Sequence, residues 1–438
     1  MSEVLGIGLP SGWAAAPLKH VTSVLNRGSG PNYVDDGPVR AISQAANQAG
    51  GLDWSRTRFH DFAGDPLSLK GALHPGDVLI NSTGTGTLGR VGYFTGAPDE
   101  IPCMADSHVT VARAEANQLD SRFVYYWLSS MPFYHYIYAA LVVGATNQIE
   151  LNRDRLGDAP VPLPPLEEQR RIADFLDAET SRIDRIVFAK EKASASIDER
   201  RVSLISQLCL RGLGGEYSLR DSGVGPLGPV PEHWTVTRNK NFLREIVDLS
   251  EGGEEELLTV SHLTGVTPRS EKNVFMFKAE SMVGYKICRP GDLVINTLWA
   301  WMGALGVSSH EGIVSPAYGV YRFTSQDMVP EYFDLLYRTP EYVCEMTRYS
   351  KGVWTSRLRL YPESFLALSA PVPPRDEQAE IVRTVEREVQ PGARLQNAIR
   401  RSNALLTERR QALIAAAVTG QFDVSTASGR NVTEGITA

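Results

Sequence analysis

The chain alternates between two textures. From residue 9 to about 165, and again from 230 to 374, short aliphatic and β-branched runs stand between turns rich in glycine and proline. Val78-Leu79-Ile80, Arg90-Val-Gly-Tyr-Phe94 and Val109-Thr-Val111 read as strands in the first stretch, and Leu293-Val-Ile295 and Gly319-Val-Tyr-Arg322 in the second. After the strands, Phe123 to Ala140 and Tyr332 to Thr347 read as helices dense in tyrosine and phenylalanine. Strands followed by helices predict an α+β globule, twice over.

Each globular stretch gives way at a Pro-Pro pair to a different pattern. Leu166 to Arg211 contains neither glycine nor proline, and Glu167-Glu168 suit the positive end of a helix just behind the prolines. Leu176, Ile183, Ile197 and Leu204 keep one seven-residue register, and Ile172, Ile186 and Ala193 a second. Val385, Ile399, Leu406 and Leu413 repeat the pattern near the C-terminus. An apolar stripe this narrow predicts coiled-coil pairing. Gln169 to Arg201 and Gln378 to Arg410 span the same 32 steps, so the two helices are expected to pair with each other. At about 1.5 Å per residue, helices of about 45 residues reach roughly 65–70 Å, long enough to serve as a ruler. Pro391-Gly392 falls inside the second, where a proline is expected to break or kink it.

The two halves also match in detail. His-Pro-Gly-Asp-Val-Leu-Ile-Asn at 74–81 returns as Arg-Pro-Gly-Asp-Leu-Val-Ile-Asn at 289–296, and Pro10 to Trp13 returns as Pro231 to Trp234. Pro162 to Gln169 is answered by Pro371 to Gln378 at a separation of 209 residues. A period so long argues for duplicated domains, not a solenoid.

Composition narrows the function by exclusion. With 42% hydrophobic and 22% charged residues the chain reads as an ordinary globular protein, and no apolar run reaches the length of a bilayer span. Four cysteines without Cys-x-x-Cys spacing suggest a reduced, cytoplasmic setting. The net charge of −7 weighs against nucleic acid, although a local basic face can coexist with an acidic remainder. Gly84-Thr-Gly86-Thr-Leu-Gly89 matches the dinucleotide fingerprint, but the residues after it read as a strand where that motif needs a helix. There is no phosphate-binding Gly-Lys-Ser/Thr loop and no Asn/Asp-Pro-Pro-Tyr/Phe methylation motif; the histidines show no metal-ligand spacing, and Glu254-Glu255-Glu256 reads as a solvated charge run. The expectation is a chain with no catalytic, cofactor or metal site of its own.

The order of parts resembles the DNA specificity subunits of type I restriction-modification systems. The likeness rests on a globule ending in Pro-Leu-Pro-Pro-Leu-Glu-Glu-Gln-Arg-Arg-Ile, a long helix, and a second globule ending in Pro-Val-Pro-Pro-Arg-Asp-Glu-Gln. A second helix then closes with Glu-Arg-Arg-Gln-Ala-Leu-Ile. It implies two similar target recognition domains (1–165 and 214–374), two long antiparallel coiled-coil helices (166–213 and 375–424) and an internal pseudo-two-fold repeat; the small, polar composition after Val424 predicts a disordered tail (425–438). It also implies double-stranded DNA, two methyltransferase subunits and restriction (translocase) subunits as partners. S-adenosylmethionine, ATP and magnesium would then belong to those partner chains. A protein-binding adaptor, with two interaction domains on a coiled-coil spacer and no DNA role, is the alternative.

If each globule reads half of a split target, the readers should be polar and on loops. The stretch between the aromatic helix and the Pro-Pro junction fits, with Gly144 aligned on Gly352. Thr146, Asn147 and Gln148 are the candidates in the first copy, and Lys351, Trp354, Thr355, Ser356 and Arg357 in the second. Asn and Gln match adenine, while Lys and Arg match guanine or phosphate. The loop with Gly84 and Gly86, the tryptophans 299 and 301, and Ser107, His108 and Tyr318 are weaker candidates, the tryptophans being equally suited to a core. Unlike loops predict an asymmetric, non-palindromic target.

Overall fold

The computed structural model describes residues 2–48, 50–84, 86–145, 148–214, 217–272, 281–354 and 358–426. Two compact units divide the chain: Met1–Lys190 with Arg401–Ala438, and Glu191–Arg400. Among the described residues no helix is long and apolar enough to cross a membrane, and no cluster of His, Cys, Asp or Glu is arranged to hold a metal ion.

The first unit is built on a four-stranded antiparallel sheet in the order Thr22–Arg27, Val109–Ala114, Val78–Asn81, Val91–Tyr93. The second unit uses the same order: Leu243–Glu245, Tyr318–Phe323, Leu293–Asn296, Leu305–Val307. The strand after each Pro-Gly-Asp is buried on both faces, which is why it reads as an unbroken apolar run. Val78 and Ile80 enter the core that holds the helices, while Leu79 points into a smaller core beyond the sheet. Leu293 and Ile295 repeat the first role and Val294 the second. A two-stranded ribbon closes each globule, pairing Ala14–Pro17 with Pro160–Leu163 and Thr235–Arg238 with Ser369–Val372.

The aromatic segments are each two helices, not the single helix their periodicity suggests: Ser121–Leu128 and Met131–Tyr136, then Pro330–Tyr337 and Pro340–Tyr349. The breaks fall where capping chemistry is strong. The hydroxyls of Ser130 and Thr339 accept the first free backbone N–H groups of the helices they open, each followed by a proline in the first turn. Their aromatics, Phe123, Trp127, Phe133, Tyr332, Phe333, Tyr337 and Tyr342 among them, are fully buried.

Both long helices form as expected, over Leu166–Arg211 and Arg375–Val418. Within the first unit Phe175 meets Phe422, Asp184 meets Arg410 and Lys190 donates to Ser402, so the helices run antiparallel there. Within the second, Gln396 donates to the Ser194 carbonyl at 3.1 Å, in the same sense. Of the two predicted registers the first is the seam. Leu176 and Ile183 are buried and Ile197 and Leu204 half-buried, whereas in the second register Ile172 is buried in the core of the first unit and Ile186 and Ala193 are exposed. The second helix runs on through Pro391 without a break. Gly392 leaves room for the facing helix: a Cβ there would lie 2.9 Å from Ile197 Cγ2, so the absent side chain lets Ile197 pack against the second helix. The predicted tail from residue 427 onward lies outside the described residues.

The repeated motifs prove to be joints. Gln169 and Gln378 are buried and make matching bonds. Gln169 Oε1 accepts the Asp120 N–H at 2.8 Å, and Nε2 donates to the carbonyls of Gln118 (3.0 Å) and Pro164 (2.9 Å). Gln378 does the same with Val329 (2.8 Å), Asp327 (3.2 Å) and Pro373 (2.8 Å). The Pro-x-x-Trp openings seat against the glycines that end the long helices. Gly212 and Gly420 are left-handed (φ +81° and +72°), and a Cβ would reach within 3.4 Å of Trp234 and 3.2 Å of Trp13, respectively.

Candidate nucleic-acid interface

The Pro-Gly-Asp turn fixes where each central strand begins. Gly76 and Gly291 adopt φ of +98° and +88°, which a side chain would strain. The aspartate that follows is fully buried. Asp77 accepts the His74 N–H at 2.8 Å and a two-pronged pair of bonds from Arg113 at 2.7 and 2.8 Å. Asp292 accepts the Arg289 N–H at 3.0 Å and two bonds from Arg322 at 2.8 Å. This carboxylate is consumed by structure and is no candidate for chemistry. Burial likewise pushes the Cys103 and Cys288 thiols up to about 12, so neither is a thiolate at neutral pH.

At its far end the strand opens into the glycine loop of the first unit or the tryptophan loop of the second. After Gly84, Gly86 and Gly89, all left-handed, the chain enters the strand Val91–Tyr93 without a helix, so the apparent dinucleotide fingerprint is a strand-to-strand loop. The second loop is a short turn over Ala300–Met302 closed by left-handed Gly303. Trp301 donates its ring N–H to Leu298, while Trp299 is 50% exposed and does not serve the core.

Against these loops dock two hairpins. In the first unit Val142–Ala145 pairs with Gln148–Leu151, and the Leu151 N–H donates to the Ser82 carbonyl at 2.9 Å. In the second, Lys351 and Arg359 exchange backbone bonds of 2.9 Å, and the Leu360 N–H donates to the Thr297 carbonyl, also at 2.9 Å. Leu151 and Leu360 are the buried anchors. Val143 opposite Glu150 therefore corresponds to Lys351 opposite Arg359, and Gly144 to Gly352, as the sequences align.

Three of the eight predicted readers, Gln148, Lys351 and Trp354, fall among the described residues. Gln148 pairs with Ala145 at the end of the first hairpin; Thr146 and Asn147 lie outside the described residues. Lys351 and Trp354 are exposed, Trp354 by 69%; Thr355, Ser356 and Arg357 lie outside the described residues.

Other polar residues joined to these loops were missed. Gln44 is held at the first loop with its Oε1 accepting from Thr83 (3.1 Å) and Thr87 (3.5 Å), and Thr83 also bonds His108 Nδ1 at 2.8 Å. Arg27 pairs with Glu150 at 3.1 Å and reaches the Leu151 carbonyl. In the second unit the Lys351 ammonium and the Arg359 guanidinium lie 5.8 and 5.3 Å from the centre of the Tyr361 ring. A two-residue alternation places 359 and 361 on one face of an extended strand, which was the available signal. Gln44 is remote in sequence and left none.

Comparison with known proteins follows this geometry. A family model described as the type I restriction modification DNA specificity domain matches residues 68–187, from just before the first Pro-Gly-Asp turn into the first long helix. The match covers that segment of the first unit. The EcoKI specificity subunit of Escherichia coli K12 is 22% identical to this chain, over 94% of this chain and 90% of its own length. The MjaX specificity-subunit relative from Methanocaldococcus jannaschii is 22% identical over 55% of this chain, which spans only 56% of that protein. In fold, a solved chain from a study of complex assembly and conformational transition in a type I system matches with a TM-score of 0.68, covering 95% of this chain and all of its own at 18% identity.

Proposed function

We infer that the chain is the DNA sequence-recognition subunit of a type I restriction-modification complex, in which each unit reads one half of a bipartite target. One observation carries the reading: in both units a hairpin of different sequence docks through its buried leucine onto the carbonyl that ends the central strand. Scaffolds this alike, with tips this unlike, fit two readers of different half-sites. On this reading residues 1–165 and 214–374 are target recognition domains. Helices 166–213 and 375–424 pair as an antiparallel coiled coil that sets the gap between half-sites and docks two methyltransferase subunits. Restriction (translocase) subunits join that cytoplasmic assembly. The chain itself is non-catalytic, and S-adenosylmethionine, ATP and magnesium act on the partners. No observation favours the adaptor alternative.

The test is to co-express the chain with its methyltransferase subunit and map modified bases across the host genome. A split, asymmetric motif with a fixed gap is expected. A palindromic motif, or no sequence-specific modification by a stable complex, refutes the reading.

A further inference from the structure

We propose that Lys351, Arg359 and Tyr361 form a seat for a DNA backbone phosphate at the foot of the second hairpin, and that the first unit has no counterpart, so the two half-sites are gripped unequally. The proposal rests on the DNA-reading function above and adds to it. Two cations lie within 6 Å of the centre of one tyrosine ring, whose quadrupole attracts both. Among the described residues neither has a carboxylate within ion-pair range. The Arg359 Nε–H is buried and bonds no acceptor there. Like charges so placed repel until an anion with several oxygens comes between them. A phosphate diester does this: the guanidinium offers paired N–H groups to its oxygens and the ammonium a point charge. Leu360, between Arg359 and Tyr361, donates its N–H to the Thr297 carbonyl at the start of the loop that carries the half-exposed Trp299.

The first unit reverses the charge. The position of Arg359 is taken by Glu150, which neutralises Arg27 and presents a carboxylate where a phosphate would approach. In a chain of net charge −7, such local cations must supply much of the attraction for phosphate.

The experiment measures binding of the reconstituted complex with its methyltransferase subunits to a duplex carrying the mapped target and to a scrambled duplex, across a salt series. Lys351→Gln and Arg359→Gln should each weaken binding to both duplexes by a similar factor. Each should also flatten the slope of log affinity against log salt by about one, while leaving the methylated motif unchanged. An unchanged slope in both variants overturns the proposal. So does a motif relaxed only at the second half-site, which would make these residues base readers. If the unaltered complex fails to distinguish target from scrambled duplex, the reading beneath the proposal has failed instead, and the proposal falls with it.

Discussion

Replacing Gln169 by leucine removes three hydrogen bonds from a fully buried side chain while nearly conserving its volume. The loss is one-sided. The Asp120 N–H and the carbonyls of Gln118 and Pro164 stay in place, and no water path reaches them through a residue that is 1% exposed. A typical bond contributes about 1 kcal/mol net, but a buried polar group left unpaired costs about 1–3 kcal/mol. With one stranded N–H and two weakened carbonyls, the sum for Gln169→Leu is about 3–5 kcal/mol. Gln169→Glu sharpens the argument. It keeps the acceptor for Asp120 but turns a carboxylate toward two carbonyls, so its folded pKa must rise. The defect is then largest at neutral pH and shrinks as pH falls and protonation restores one donor. Urea unfolding gives the magnitude and hydrogen exchange the place, with protection lost around residues 118–128 and 164–175. A Gln169→Leu chain within about 1 kcal/mol of the parent, or one whose lost protection lies elsewhere, refutes the claim that this glutamine joins globule to helix.

Four further outcomes follow from the same reasoning. Asp77→Ala strands the guanidinium of Arg113 beside a buried turn and should destabilise by about 3–5 kcal/mol, much of it recovered in an Asp77→Ala/Arg113→Met double variant, as a double-mutant cycle in urea would show. Gly28→Ala places a Cβ 1.9 Å from the Ala105 carbonyl oxygen, a backbone contact that cannot swing away; destabilisation of about 1–3 kcal/mol or more is expected by thermal unfolding. Pro391→Ala restores an interior N–H to the second long helix and should stabilise by up to about 3 kcal/mol, read as a raised Tm. Exchanging residues 353–358 for 145–149 should rewrite the second half of the methylated motif and leave the first half intact.

How much of this was readable depended on the range of the interactions. The long helices and the central strands were legible because local periodicity and the Pro-Pro and Glu-Glu start signals all agree with the final packing. The aromatic segments misled because the same aromatic spacing continues across Ser129-Ser130 and Thr339-Pro340, and only the cap and proline mark the breaks. Pro391 misled in the opposite direction. Its cost to one helix is local, but the neighbouring glycine serves a close approach to Ile197 that sequence spacing does not reveal. The docking of each hairpin on Ser82 or Thr297 is a contact across 69 or 63 residues, and Gln44 reaches the first loop from a distant turn; neither leaves a periodic trace.

The internal comparison then separates scaffold from reader more cleanly than residue type does. Pro-Gly-Asp, Pro-x-x-Trp and the glutamine after Pro-Pro look like chemistry, because they hold a carboxylate, an indole and an amide at fixed spacing. In both units every one of them is buried and bonded to its own fold: aspartate to arginine, glutamine to three backbone groups, tryptophan against a helix-ending glycine. A group whose bonds are all spent inside the molecule has nothing left to offer a ligand. Differences cluster at the loops and hairpins. The glycine loop corresponds to a tryptophan loop, Glu150 corresponds to Arg359, and the segment between the matched glycine and the base of the hairpin is one residue longer in the second copy, six residues at 353–358 against five at 145–149. On the proposed reading, a chain that reads two different half-sites with one design has to hold constant what positions the tips and vary what the tips present, and the two copies divide in that way.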